Sequence, residues 1–360
     1  MLEFSWLLIG SGLVLIQTIF WVLLWVAWRT LKPTAENFSP KNESSVSVII
    51  CAHNEIKQLP TLISDLLKQR YSNYEVILVD DRSDDGTQEY ISSLKCDKLR
   101  YIRIEHTAVG WPPKKWAIQT GISHAKNDWL VFTDADCSVG KNWLNSLLSV
   151  SYNKNIEVVL GYSPYIVDAS LINKFIQVET FLTATSYLGA AKIGFPYMAV
   201  GRNTAYRQIF RGTHAQNQFK TTLSGDDDLI INNFAISRKT IPNIDPLSFV
   251  FSQPKKTFRE WFTQKTRHYG ASFRYTTVSK AILVAFHGSF FLLLIGLFSG
   301  LFPFWLILFR NFVQYFTLKV SRNKLKHIQP IYVIWLLEPV LLVIQFLLVL
   351  RNLMKKPVWK

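Results

Sequence analysis

The sequence predicts an α/β protein with a parallel, doubly wound sheet and apolar helices at both ends of the chain. Three observations lead there. Between Val46 and Thr133, short β-branched runs alternate with helix-like stretches, the pattern of parallel strands joined by crossover helices. The strands run into polar clusters: His53-Asn54-Glu55 after the first, Asp80-Asp81 after the second, Asp134-Ala135-Asp136 after the fourth. Ligands of such sheets sit beyond the carboxyl ends of the strands. Finally, Leu7–Trp28 and Ala281–Phe309 contain no Asp, Glu, Lys or Arg, and Ile328–Leu350 contains only Glu338. Such runs match the roughly 20 apolar residues that cross a bilayer.

The first apolar run reads as an uncleaved anchor. Glu3 precedes it, no basic residue does, and no small-residue cleavage site follows. Trp21, Trp25 and Trp28 near its end have the spacing of interfacial aromatics. Strands are expected at Val46–Cys51, Val76–Val79, Tyr101–Ile104 and Trp129–Thr133. Helices are expected at Leu59–Gln69, Thr87–Leu94 and Lys114–Ala125, the last entered through Pro112 and Pro113. Farther on, Leu171–Leu188 and Gly225–Asn233 read as helices, the second with acidic residues where the helix dipole favours them. Thr257–Ala271 is basic and aromatic, suited to a membrane interface. Ala281–Leu318 is too long for one span; Gly300 and Pro303 divide it into two. Arg310 then lies inside the second span, where it must face protein or snorkel. The last segment, Ile328–Leu350, is either a third span or, because of Glu338 and Pro339, re-entrant or interfacial. The expected organisation is an anchor at 1–29, a globular domain at 30–279 and a membrane region at 280–360.

The 360 residues are 49% apolar and carry a formal charge of +15. Basic residues cluster just outside the apolar runs: Arg29 and Lys32, Arg274 and Lys280, then Lys319, Arg322, Lys324 and Lys326. This positive-inside pattern places the globular region in the cytoplasm, against anionic lipid head groups, with no nucleic-acid partner. Three cysteines, Cys51, Cys96 and Cys137, show neither metal-finger spacing nor a disulfide framework.

The motifs resemble those of family 2 glycosyltransferases with the GT-A (Rossmann-like) fold: Ser47-Val48-Ile49-Ile50-Cys51-Ala52-His53-Asn54-Glu55, Val79-Asp80-Asp81-Arg82-Ser83-Asp84-Asp85-Gly86-Thr87 and Thr133-Asp134-Ala135-Asp136. The resemblance covers about Val46–Ser272, and the membrane arrangement is similar to the cellulose-synthase and poly-N-acetylglucosamine-synthase branch. It implies a nucleotide-sugar donor, with a UDP-sugar favoured, bound by Cys51, Ala52, Asn54, Glu55 and Asp81, where Asp81 accepts from the base. Lys114, before Ala117, Ile118 and Gly121, meets the nucleotide, although Lys115 blurs that assignment. Asp134 and Asp136 form a DxD whose hard oxygens suit Mg²⁺ or Mn²⁺. Ser224-Gly225-Asp226-Asp227-Asp228-Leu229 matches the stretch that carries the catalytic base, which the register makes Asp226, with Asp227 and Asp228 as alternates. Gln264-Lys265-Thr266-Arg267-His268 resembles the processive branch's QxxRW, with Gln264 and Arg267 on the diphosphate. His268 replaces the Trp that stacks on the acceptor sugar. Gly201, Arg202 and Asn203 resemble a stretch lining the acceptor side.

The resemblance thus implies inverting, metal-dependent sugar transfer to a lipid-linked or membrane-associated acceptor in a multi-pass inner-membrane protein. The His268 replacement favours one or a few sugars per acceptor. The rival reading is a processive polysaccharide synthase. A non-catalytic exporter subunit would lack the DxD or the acidic cluster, and both are present.

Overall fold

The computed structural model describes residues 2–33, 44–151, 155–207, 225, 227–235 and 239–354. Asp226 lies outside the described residues. The chain divides into two compact units. One comprises 33–166 and 198–254, the other 1–32, 167–197 and 255–360. The segments 167–197 and 255–279, expected in the globular domain, therefore group with the apolar helices.

The first unit is built on a seven-stranded sheet in the order β3-β2-β1-β4-β7-β6-β8. Its strands are β1 (Val46–Ala52), β2 (Tyr74–Asp81), β3 (Leu99–Ile104), β4 (Trp129–Asp134), β6 (Val158–Leu160), β7 (Thr204–Arg207) and β8 (Thr240–Pro242). β1 runs parallel to β2 and β4, and β2 parallel to β3, as expected. The sheet is not wholly parallel, however: β7 lies antiparallel to both β4 and β6. A separate antiparallel pair joins β5 (Cys137–Val139) to β9 (Val250–Ser252). β1, β2 and β4 are almost entirely buried, which is why they read as continuous apolar runs. Crossover helices α2 (Leu59–Leu67), α3 (Thr87–Ser93) and α4 (Pro113–His124) link these strands. Gly121 lets α4 press against β1, because a Cβ there would lie 2.6 Å from Ile49 Cγ2. On one side of the sheet, Leu62 and Leu66 of α2 pack with Trp143 and Leu147 of α5 (Trp143–Leu148) in the main core.

The second unit is helical: α1 (Leu2–Thr30), α6 (Leu171–Lys192), α8 (Phe258–Ser272), α9 (Thr277–Phe298), α10 (Trp305–Lys324) and α11 (Ile331–Met354). Phe4–Thr30, Thr277–Phe298 and Ile331–Met354 are long and apolar enough to cross a membrane. The expected break after the first C-terminal run is present, with Gly300 at φ 72° between α9 and α10. The last segment is one continuous helix through Pro339.

One detail differs from the sequence reading, and one expectation is met. Trp21 and Trp28 are buried inside this unit, where Trp28 Nε1 donates to Thr185 O at 2.9 Å. Their indoles find protein partners instead of a membrane surface. Arg310 does face protein: its Nη1 and Nη2 donate to Glu338 Oε2 and Oε1 at 2.7 and 2.6 Å. Gln314 donates to both carboxylate oxygens, and Gln17 accepts from Arg310 Nε.

Candidate active site

The sheet register sets the site. Cys51 pairs with Asp134 across β1 and β4, and Ala52 pairs with Asp80 across β1 and β2. Three strand ends therefore finish level with one another. A cleft opens there, lined by Cys51, Lys114, Asp134, Gly201, Asp227 and Ile230 among others. The first five were singled out by sequence, and the fold of one unit collects them. Phe132 and Tyr206, stacked at 4.8 Å between ring centroids, also line it.

The turn after β1 is fastened to the turn after β2. His53 Nδ1 donates to Asp81 O at 2.6 Å, Asn54 N donates to Ser83 Oγ, and Asp84 N donates to Asn54 Oδ1. Asn54 takes φ 59°, a left-handed conformation that asparagine tolerates. Ala52 is buried, and the Glu55 carbonyl accepts from Gln58 N and Leu59 N, closing the entry to α2. The adjacent aspartates of β2 behave differently. Asp80 is fully buried and accepts from Ser83 N, Tyr101 Oη and Arg103 Nη1. Burial and that hydrogen bond push Tyr101 up to about 12. Asp81 is buried as well, with Oδ1 accepting from Arg82 Nε at 2.8 Å.

Lys114 Nζ stands 2.9 Å from Asp134 Oδ1, while Lys115 is buried. Lys114 is thus the lysine that reaches the cleft. Asp134 and Asp136 flank the buried Ala135 and are both partly exposed. Beneath them, burial, with both carboxylates nearby, raises the Cys137 thiol well above its ordinary value. Among the described residues no cluster of three or more His, Cys, Asp or Glu is close enough to hold a metal alone. Two carboxylates still fit Mg²⁺ or Mn²⁺, because these ions are commonly held by one or two carboxylates with phosphate oxygens and water.

Asp227 and Asp228 are engaged by backbone. Asp227 caps α7 (Asp228–Phe234), accepting from Asp228 N at 2.9 Å and from Gly201 N at 2.5 Å. Asp228 Oδ1 accepts from Ala199 N. Arg202 turns its guanidinium onto Ser163 Oγ and O and over the Tyr165 ring. Burial opposes its charge, but Tyr165, Cys137 and Asp134 outweigh it and hold Arg202 above its ordinary value. Asn203 is sealed in, donating to Tyr162 O and Ser248 O and accepting from Trp143 Nε1. Of the Gly201-Arg202-Asn203 stretch, Gly201 lines the cleft, whereas Arg202 and Asn203 fasten strands and loops.

Gln264, Arg267 and His268 lie on α8 in the helical unit. A capping box of Thr257 and Glu260 starts this helix. Lys265 Nζ, 2.7 Å from Glu179, ties it to α6, and Asn352 Nδ2 ties it to α11 through Thr266 O. Gln264 Oε1 is buried with no hydrogen-bond partner among the described residues. Burial lowers the Arg267 guanidinium, and His268 is exposed. The partners missed by sequence reasoning (Tyr101, Arg103, Ser163 and Tyr165) meet their residues only through folding, so no local signal marks them.

The level strand ends and their cleft define a protein of the GT-A class. A solved mannosyltransferase, PcManGT from Pyrobaculum calidifontis in complex with GDP-Man and Mn²⁺, superposes with a TM-score of 0.59 at 15% identity, covering 99% of this chain and 100% of that one. At that identity the likeness concerns the fold. Residues 47–210 match the model for glycosyl transferase family 2, and the chain carries a family 2 glycosyltransferase domain. Glycosyltransferase GlyG of Streptococcus pneumoniae is 30% identical over 118 residues, which are 32% of this chain and 38% of GlyG. UDP-Glc:alpha-D-GlcNAc-diphosphoundecaprenol beta-1,3-glucosyltransferase WfgD of Escherichia coli is 27% identical over 176 residues, 48% of this chain and 67% of WfgD. The match thus spans little more than a third of the first relative's length.

Proposed function

We propose that this protein transfers a sugar from a nucleotide-sugar donor, preferentially a UDP-sugar, to a lipid-linked or membrane-associated acceptor, with inversion and one or a few sugars at a time. The observation that carries this reading is the gathering of Cys51, Lys114, Asp134, Gly201 and Asp227 around one cleft at the carboxyl ends of β1 and β4. The name of WfgD, which specifies a UDP-sugar and a diphosphoundecaprenol-linked acceptor, supports the substrate class. The three apolar helices support an acceptor held at a membrane. The basic flanks favour an inner-membrane, multi-pass arrangement with the catalytic domain in the cytoplasm.

Asp81 accepts a hydrogen bond from the donor's base, and the turn around Asn54 and Glu55 holds the nucleoside. Asp134 and Asp136 hold a divalent cation, which neutralises charge on the leaving diphosphate. Lys114 binds the diphosphate oxygens with a compact point charge on a flexible stem. Asp226 takes the proton of the acceptor hydroxyl as that oxygen attacks the anomeric carbon. The bond from that carbon to the diphosphate oxygen breaks, and the nucleoside diphosphate leaves with the electron pair. Attack from the face opposite the leaving group inverts the anomeric centre. Asp227 and Asp228, engaged with the backbone at 199–201, position this acidic cluster.

The test uses the purified full-length protein, a panel of UDP- and GDP-sugars, Mn²⁺ or Mg²⁺, and a polyprenyl-diphosphate sugar acceptor. Short products with an inverted anomeric centre are expected by NMR and mass spectrometry. A long-polymer ladder would move the reading to the processive synthase, and a retained anomer would reject single displacement.

A further inference from the structure

The Lys114–Asp134 pair joins two groups that the proposed reaction needs for other partners. Lys114 Nζ lies 2.9 Å from Asp134 Oδ1, and the side chains are 40% and 38% exposed. Exposed pairs of this kind are weakly held. Lysine also carries its charge on a flexible stem with rotatable donors, which suits it to changing partners.

The ammonium and a divalent cation compete for the same carboxylate. A single and a double positive charge about 5 Å apart in a water-filled cleft repel enough to lower metal affinity roughly tenfold. A diphosphate reverses the situation, because its oxygens attract both cations and draw the ammonium from Asp134.

We propose that Lys114 is a displaceable counter-ion of Asp134 that makes metal and nucleoside-diphosphate binding interdependent. Without nucleotide, Lys114 neutralises Asp134 and keeps the cation weakly bound. When the diphosphate arrives, Lys114 moves to it and uncovers the carboxylate, so each ligand raises the affinity for the other. Such coupling is reciprocal by thermodynamic necessity. The inference rests on reading Asp134 and Asp136 as the metal carboxylates, and goes beyond that reading by coupling metal binding to nucleotide binding through Lys114.

Mn²⁺ binding to the full-length protein in detergent, followed by the EPR signal of free Mn²⁺ with and without UDP or GDP, tests it. In the wild type, the diphosphate should raise Mn²⁺ affinity about tenfold. Lys114→Met, which keeps length and removes charge, should tighten nucleotide-free Mn²⁺ binding by roughly threefold to tenfold and shrink the nucleotide's enhancement. Lys114→Gln should behave likewise, so that misfolding of one variant does not decide the matter; Lys114→Arg should resemble the wild type. Equal nucleotide-free Mn²⁺ affinity in the wild type and both uncharged variants overturns the exchange while leaving the metal reading intact. Absence of Mn²⁺ binding to the wild type, with or without diphosphate, overturns both.

Discussion

Two ion pairs, one in each unit, use the same chemistry under opposite conditions. Arg310–Glu338 in the helical unit is nearly closed to solvent, at 1% and 11% side-chain exposure, and is bidentate. Lys114–Asp134 in the sheet unit is monodentate and more than a third exposed on both sides. In the first, Gln17 and Gln314 complete the hydrogen bonding, and Arg310 packs over the Phe290 ring at 3.9 Å. Charges sealed from water in this way have nowhere else to go, so they fix helices. Charges left wet can trade partners, so they serve ligands. Exposure separates the architectural pair from the functional one, although the sequence shows a basic and an acidic residue in both.

The largest expected effect breaks the sealed pair. Glu338→Leu strands a buried guanidinium and should destabilise the helical unit by about 3–5 kcal/mol. The double variant Arg310→Met/Glu338→Leu removes both charges and should recover most of that loss. Thermal unfolding in detergent reads both; equal damage from single and double variants would mean the pair is not what holds α10 to α11.

Next is the acidic cluster. Asp226→Asn should lower transfer by about 10²- to 10⁴-fold with donor binding retained. Asp227→Asn, at a carboxylate accepting from Gly201 N and Asp228 N, should act chiefly through stability, at about 0.5–2 kcal/mol, as for a lost helix cap. Turnover and donor affinity measured side by side distinguish them. A larger turnover defect in Asp227→Asn would shift the base by one residue.

The smallest effect sharpens the comparison. Lys114→Met should change unfolding stability by under about 1 kcal/mol, the scale of an exposed pair. A loss comparable to that of Glu338→Leu would show the cleft pair to be architectural as well.

The legible parts of this molecule are those whose cause is local. β1, β2 and β4 are buried on both faces, so each is an unbroken apolar run that sequence alone delimits to within a residue or two. The Asp134-Ala135-Asp136 turn and Lys114 were visible because short spacing and a strand end define them. β6, β8 and β9 were not, because three residues carry no periodicity. β7 was missed because its antiparallel place depends on β4 and β6, far away in sequence. Arg202 and Asn203 have side chains suited to a ligand, but Ser163, Tyr162 and Ser248 occupy them, and no spacing announces that. The partner of Arg310 was within reach: Glu338 is the one acidic residue in the last apolar run, and two isolated opposite charges among membrane helices have reason to find each other.

Asp80 and Asp81 carry a consequence for how this chain tolerates change. Consecutive strand residues point to opposite faces, so the same letter written twice gives two instructions: one is held by Tyr101 and Arg103, the other, also buried, accepts from Arg82 Nε. A single-residue insertion or deletion within β2 would exchange the two without altering the local composition at all. The Asp-Asp pair is therefore sensitive to reading frame in space more than to chemistry, and alignments that slide it by one position will assign to each aspartate the work of its neighbour.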